Sequence, residues 1–182
     1  QYFKFVVTHR NASGQDNMLD VGEFALLNAA GERVSINLTR SATLSAPNTF
    51  SYSGPMEVGD GSSAQFVENI FDCSFSGGFN KLTCKMDDGD MGQVLKNQPI
   101  IIMRIASEDE VVAYNLASAE CIYDGARFVT GWELYRSDDG QDWTLVDKRL
   151  PAEIEKDPVV SGVVAWTWYN NGGTGVNGKN PT

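Results

Sequence analysis

Few residues in this chain are equipped for covalent or acid–base chemistry. His9 is the single histidine, there is no G-x-S-x-G elbow, and no glycine-rich loop runs into Lys-Ser or Lys-Thr. Nucleophilic and phosphate-loop chemistry therefore lack their usual anchors. The 24 acidic residues could supply carboxylate pairs for glycoside hydrolysis, but nothing in their spacing singles out one pair. Cys73, Cys84 and Cys121 include no C-x-x-C pair, which argues against a zinc site. Cys73 and Cys84 flank a segment centred on Gly77-Gly78, a spacing that suits either a disulfide closing a hairpin-like loop or buried thiols acting as small hydrophobes. The groups best suited to holding an external molecule lie in loops. Residues 120–128 carry Glu120, Tyr123, Asp124, Arg127 and Phe128. The opening loop carries His9, Arg10 and Asn11, and the loop over 72–82 carries Phe75 and Phe79. Each also has an ordinary reading as a surface or packing residue, and Asp124 with Arg127 would equally make a salt bridge within their loop.

The elements that must position these loops read as strands. Tyr2–Thr8 is aromatic and β-branched with Lys4 as its one charge, the pattern of a strand with a well-buried face. Leu19, Val21, Phe24, Leu26 and Leu27 suit a strand with an irregularity at Gly22. A turn over 28–32 leads to Arg33–Ile36, and these opening elements are expected to form an antiparallel set. The stretch 37–60, rich in Ser, Thr, Pro and Gly, reads as long loops between short strands. Phe66, Val67, Ile70 and Phe71 are spaced for a short helical turn. Pro99–Ile105 and Val111–Leu116 are further strands. Gly131–Arg136 and Trp143–Asp147 form a hairpin across a Gly-containing turn. Met86-Asp87-Asp88-Gly89-Asp90 lacks the ligand spacing and distal Glu of a calcium-binding EF-hand and reads as a turn. Trp166, Trp168 and Tyr169 fit a final strand packed on the rest, with Trp166 and Trp168 on one face. Short strands, polar turns and little helical periodicity predict an all-β antiparallel sandwich over 1–169. Residues 170–182, rich in Gly and Asn, are expected to be a linker or disordered tail.

Composition bounds the setting. The chain has 182 residues, 42% hydrophobic and 21% charged, as in folded domains, and is long enough for one well-buried core. Its net charge of −10 opposes a phosphate backbone, which counts against nucleic acid as a partner. No apolar run approaches the roughly 20 residues of a membrane-spanning helix. Gln1, followed at once by a strand-like run, is expected of a chain whose start, with any signal peptide, has been removed. The sequons Asn11-Ala12-Ser13 and Asn37-Leu38-Thr39 would matter in a eukaryotic secreted protein.

The hairpin Trp132-Glu133-Leu134-Tyr135-Arg136-Ser137-Asp138-Asp139-Gly140-Gln141-Asp142-Trp143 resembles the W-x-L-Y-x-S-x-D-G-x-x-W segment of discoidin-like, galactose-binding-like domains. That superfamily includes coagulation-factor C-type domains and many carbohydrate-binding modules. Tyr2–Val7 and Val21–Leu27 resemble its Y-x-R-F and L-x-E-F-x-L strands, and Asn69-Ile70-Phe71-Asp72 its N-L-F-D-G element, with Cys73 in place of the glycine. The first two precede the hairpin here and follow it in the family, which implies a permuted strand order or a chain cut so that its closing strands come early. The resemblance implies a jelly-roll sandwich whose hairpin aromatics pack across the core. It also implies a noncatalytic module that binds glycan or polysaccharide through loops at one end, within a larger secreted or cell-surface protein. On that basis the ligand-facing candidates are Glu120, Tyr123, Asp124, Arg127, His9, Arg10, Asn11, Phe75 and Phe79. A structural Ca2+ is implied between Asp72 and Glu23. A protein-binding adhesion domain or a structural spacer is the rival expectation, since the same sandwich serves those roles.

Overall fold

The computed structural model describes residues 1–10, 17–60, 63–72, 81–86, 93–117, 127, 129–150 and 165–169. Residues 60, 63, 64 and 165–169 are described as backbone alone. Of the expected site, Asn11, Phe75, Phe79, Glu120, Tyr123, Asp124 and Phe128 lie outside the described residues, as do Cys73, Cys121 and the tail over 170–182.

Strand β1 (Tyr2–Arg10) is the spine of the fold. Because side chains alternate along a strand, Phe3, Phe5 and Val7 all point inward and are fully buried, while Tyr2 and Lys4 stay half-exposed; a shift of register after Val7 then leaves His9 half-exposed as well. β1 pairs antiparallel with β8 (Ile100–Arg104) on one side and β10 (Val129–Ser137) on the other. β4 (Thr49–Ser53) and β11 (Thr144–Arg149) complete a five-stranded sheet ordered β11-β10-β1-β8-β4. The second sheet runs β12 (Ala165–Tyr169), β9 (Val111–Ala117), β3 (Glu23–Asn28). Phe24, Leu26, Tyr114 and Leu116 from this sheet meet Phe3, Phe5, Ile101, Met103, Trp132 and Leu134 from the first in one hydrophobic core. The Phe5 and Phe24 ring centroids lie 4.7 Å apart across it. Each such ring, fully buried, contributes about 1.5–3 kcal/mol.

Two features depart from the expectation. Met18–Val21 (β2) and β3 are separate strands: β2 pairs with β7 (Leu82–Lys85), and past Gly22 the chain enters β3 in another sheet. The opening strands therefore do not form one antiparallel set; β1, β2 and β3 take partners from the later chain, and residues 33–36 contribute only the isolated bridge Leu27–Arg33. The second departure is β12, which lies parallel to β9, whereas the other described strand pairs are antiparallel. The short helical turn forms as a 3-10 turn over Val67–Phe71, and a small hairpin joins β5 (Val58–Asp60) to β6 (Ser63–Gln65). Among the described residues no helix is long and apolar enough to cross a membrane. The expected hairpin is present as β10 and β11, and the architecture is an all-β sandwich.

Candidate functional site

The hairpin turn is built by Asp139, whose Oδ1 accepts from the backbone N–H of Gln141 and Asp142 and from the Ser137 hydroxyl. Gly140 takes φ +79°, a left-handed conformation natural to glycine, and its Cα passes so close to the Tyr2 ring that an added Cβ would sit 3.3 Å from it. This turn delivers Trp143 back over the sheet. Only one of the hairpin aromatics packs in the core: Trp132 is fully buried, whereas Tyr135 and Trp143 turn to the outer face and remain half-exposed. The expectation that the hairpin aromatics pack across the sandwich is corrected here. The physical reason is the pleat, which sends Trp132 and Leu134 inward and Glu133 and Tyr135 outward.

On that outer face the register places Lys4 between Tyr135 and Ile102, Val6 beside Glu133, and Glu133 beside Lys148. The Lys4 Nζ stands 4.5 Å from the Tyr135 ring centroid and 4.4 Å from that of Trp143, a double cation–π contact that holds both rings against the sheet. Arg104, opposite Tyr2, lies 5.9 Å from the Tyr2 ring centroid and donates to the carbonyls of Leu44 and Ser45. Glu133 accepts from the Tyr135 hydroxyl and pairs with Lys148 at 2.8 Å. Burial pushes the Glu133 carboxyl up, but its bonds to Lys148 and Tyr135 and the nearby cations outweigh this and leave it below its ordinary value. Burial and the Lys148 charge lower His9, against the pull of Glu133. His9 packs on Gly131, where an added Cβ would come within 2.6 Å of the imidazole Nδ1. The result is a strip along β1 and β10 from Tyr2 to His9, roughly 20 Å long at about 3.3 Å per residue.

The other expected site residues fall elsewhere. Arg10 is buried and donates to the Met18 carbonyl, so it ties β1 to β2 instead of facing solvent. Arg127 lies beside Asp20, its guanidinium 4.0 Å from that carboxylate and its carbonyl accepting from the Asp20 N–H. Asp20, which the sequence reading passed over, is fully buried and also receives Lys81 Nζ and the Thr83 hydroxyl, each at 2.7 Å. A buried carboxylate persists only when paired and hydrogen-bonded, so this cluster anchors the chain at the end of the 118–126 segment. The signal in the sequence was an acid between two buried apolar residues, Leu19 and Val21. Of the described residues in the expected binding set, only His9 joins the outer-face strip.

Glu23 and Asp72, far apart in the chain, are brought together. Glu23 opens β3, Asp72 follows the 3-10 turn, and their carboxyls hydrogen-bond to one another. Burial, reinforced by Asp72 and opposed by Arg33, pushes Glu23 up to about 7. Arg33 Nη2 sits 2.5 Å from Glu23 Oε2. The pair offers hard oxygen donors of the kind calcium takes, and the guanidinium and the shared proton compete for them. Among the described residues no group of three or more His, Cys, Asp or Glu side chains is placed to hold a metal ion. Cys84 is a buried free thiol 3.1 Å from the Tyr52 hydroxyl, and burial pushes it up to about 12. No protein-family model, curated protein or solved structure matches the chain.

Proposed function

We propose that this domain is a noncatalytic carbohydrate-binding module, and that the outer face of the five-stranded sheet is its binding surface. The observation that carries the reading is the pinned aromatic pair, Tyr135 and Trp143, held by Lys4 on a strip that also bears Tyr2, Glu133, Lys148 and His9. Sugar recognition needs flat apolar surface for the C–H face of a pyranose and charged or planar groups for its hydroxyls. Rings already fixed in place lose little freedom on binding. The discoidin-like hairpin supports the same reading, and on it the domain belongs to a larger secreted or cell-surface protein. Calcium between Glu23 and Asp72 is a secondary element of the proposal. It would brace β3 against the 3-10 turn, away from the sugar.

A protein-binding adhesion domain is the rival, favoured by the exposed Leu145, which pairs with Tyr135 at the margin of the strip, and by Leu150 just beyond β11. The deciding experiment is a glycan array with an insoluble-polysaccharide pull-down on the whole chain, on Trp143→Ala with Tyr135→Ala, and on Asp124→Ala. Loss of binding by about tenfold or more in the aromatic variant alone is the expected result. Loss only in Asp124→Ala would move the site to the 118–126 segment. Absence of any glycan binding would favour the adhesion reading.

A further inference from the structure

The charge on this face runs against the charge of the chain. The protein carries a net −10. Among the described residues between Lys4 and His9 the strip nevertheless presents Lys4 and Lys148 against the one carboxylate Glu133, with Arg104 beside Tyr2 at one end and His9 at the other. Lys148 is paired with Glu133, so the excess lies at Lys4 and Arg104.

Lys4 is the informative member. Its ammonium sits over two rings, with no carboxylate in ion-pair distance among the described residues. Burial lowers its pKa, and the nearest opposing influence is the Glu133 charge. Arg104 uses Nη1 on the Leu44 and Ser45 carbonyls, which directs the rest of its planar fork away from those bonds. The carboxylates Asp138, Asp139 and Asp142 gather at the hairpin tip, around an open hollow that also includes Arg136, Ser137, Thr144 and Val146. They would repel an anion from that end and leave the strip between Lys4 and His9 as the favourable path.

Resting on the carbohydrate-binding reading, we infer that the outer face of the five-stranded sheet takes an anionic polysaccharide, its carboxylate or sulfate groups meeting Lys4 and its rings lying along Tyr135 and Trp143. A carboxylate or sulfate at Lys4 would supply the charge-assisted hydrogen bonds that the two rings cannot. Neutral glycans would gain the stacking without the ion pair.

The test compares polymers that differ in charge: dextran against dextran sulfate, and neutral galactan against polygalacturonate. Binding is measured by affinity electrophoresis and calorimetry at about 50 mM and about 300 mM salt, which brackets strong and weak screening. Lys4→Met keeps the aliphatic stem between the rings and removes the charge; Trp143→Ala removes a ring. At least one anionic polymer is expected to bind about tenfold or more tightly than its neutral counterpart, with affinity falling as salt rises. Lys4→Met should abolish that preference and, because it also releases the cation–π contacts that hold the rings, weaken neutral binding, though less than anionic binding, while Trp143→Ala should weaken both. Preference for dextran sulfate alone assigns sulfate, and preference for polygalacturonate alone assigns carboxylate. Equal binding of charged and neutral polymers, insensitive to Lys4→Met, overturns the inference and leaves the carbohydrate-binding reading standing. Binding of a polyanion that survives Trp143→Ala undiminished overturns it as nonspecific attraction. Failure to bind any polymer removes both.

Discussion

Tyr114 of β9 donates its hydroxyl to Asp147 Oδ2 of β11 at 2.6 Å, a buried bond that joins the two sheets of the sandwich. The same hydroxyl accepts from Trp132 Nε1 at 2.8 Å, and Arg149 Nε reaches Asp147 at 3.1 Å. The chain of bonds links an indole, a phenol, a carboxylate and a guanidinium, with all four side chains buried. Burial together with Asp147 raises the Tyr114 phenol well above its ordinary value, so it remains a donor. Such a network makes the relative placement of the sheets specific, because sliding one past the other would strand polar groups in the core.

Tyr114→Phe removes one hydroxyl and keeps the ring. It should destabilise the fold by about 1–3 kcal/mol, the range for buried polar groups deprived of a partner. Asp147→Ala takes the carboxylate from the buried Arg149 and should cost more, about 3–5 kcal/mol. Urea unfolding followed by tryptophan fluorescence checks both. An Asp147→Ala variant no less stable than Tyr114→Phe would show that Arg149 does not depend on this carboxylate.

The Glu23 carboxyl introduces a pH dependence whose sign follows from its raised value. The folded state holds the proton up to about pH 7, above the ordinary carboxyl value of 4.5. The stabilising contribution of protonation is therefore fully present below about pH 4.5 and is lost as pH rises through 7. Between pH 5 and pH 8 the urea midpoint should fall, and Glu23→Gln should flatten that part of the profile. If calcium occupies the Glu23–Asp72 pair, it displaces the proton, so added calcium should raise the midpoint at pH 8 more than at pH 5, and a chelator should reverse the gain. A midpoint unmoved by calcium at both pH values would remove the cation from the proposal.

Asp20 and Lys81 form a buried ion pair, and its parts can be tested separately. Asp20→Asn leaves the Lys81 ammonium without its carboxylate and should cost about 3–5 kcal/mol, whereas Asp20→Asn with Lys81→Met should cost less than the single change. Limited proteolysis adds a second readout. Because Asp20 also holds Arg127, trypsin should cut the single variant faster after Arg127. A double variant less stable than the single would contradict the pairing.

The Cys84 thiol, buried beside Tyr52 and pushed up to about 12, should resist alkylation in the native state. Iodoacetamide followed by peptide mass mapping is expected to label Cys84 only after denaturation, and without prior reduction. Labelling that requires a reductant would instead reveal a disulfide at this residue.

Much of the scaffold was legible because it is local. The alternation of Phe3, Phe5 and Val7, the Asp139-Gly140 turn and the flanking runs of β10 and β11 specify strands and a hairpin through short-range sterics and periodicity alone. Alternation also separates Trp132 and Leu134 from Glu133 and Tyr135. It gives only the relative placement, however; which set faces the core depends on what the sheet packs against. That choice put Tyr135 and Trp143 on the outer strip beside Lys4, and a motif read as core packing became a surface. Gly22 marked an irregularity, but its being a crossing between sheets depends on β7 and β9, more than fifty residues downstream. The pairing of Asp20 with Lys81 spans 61 residues, and that of Arg40 with Glu68 spans 28. No periodicity encodes such meetings, because they follow from closure of the whole sandwich. The sequence by itself determined the strands β1, β8, β9, β10 and β11, the charge and the poverty of catalytic groups. Only the tertiary structure decided which carboxylates meet cations in the core, and which aromatic rings and cations remain on the surface, because burial and charge pairing are properties of the assembled sheets.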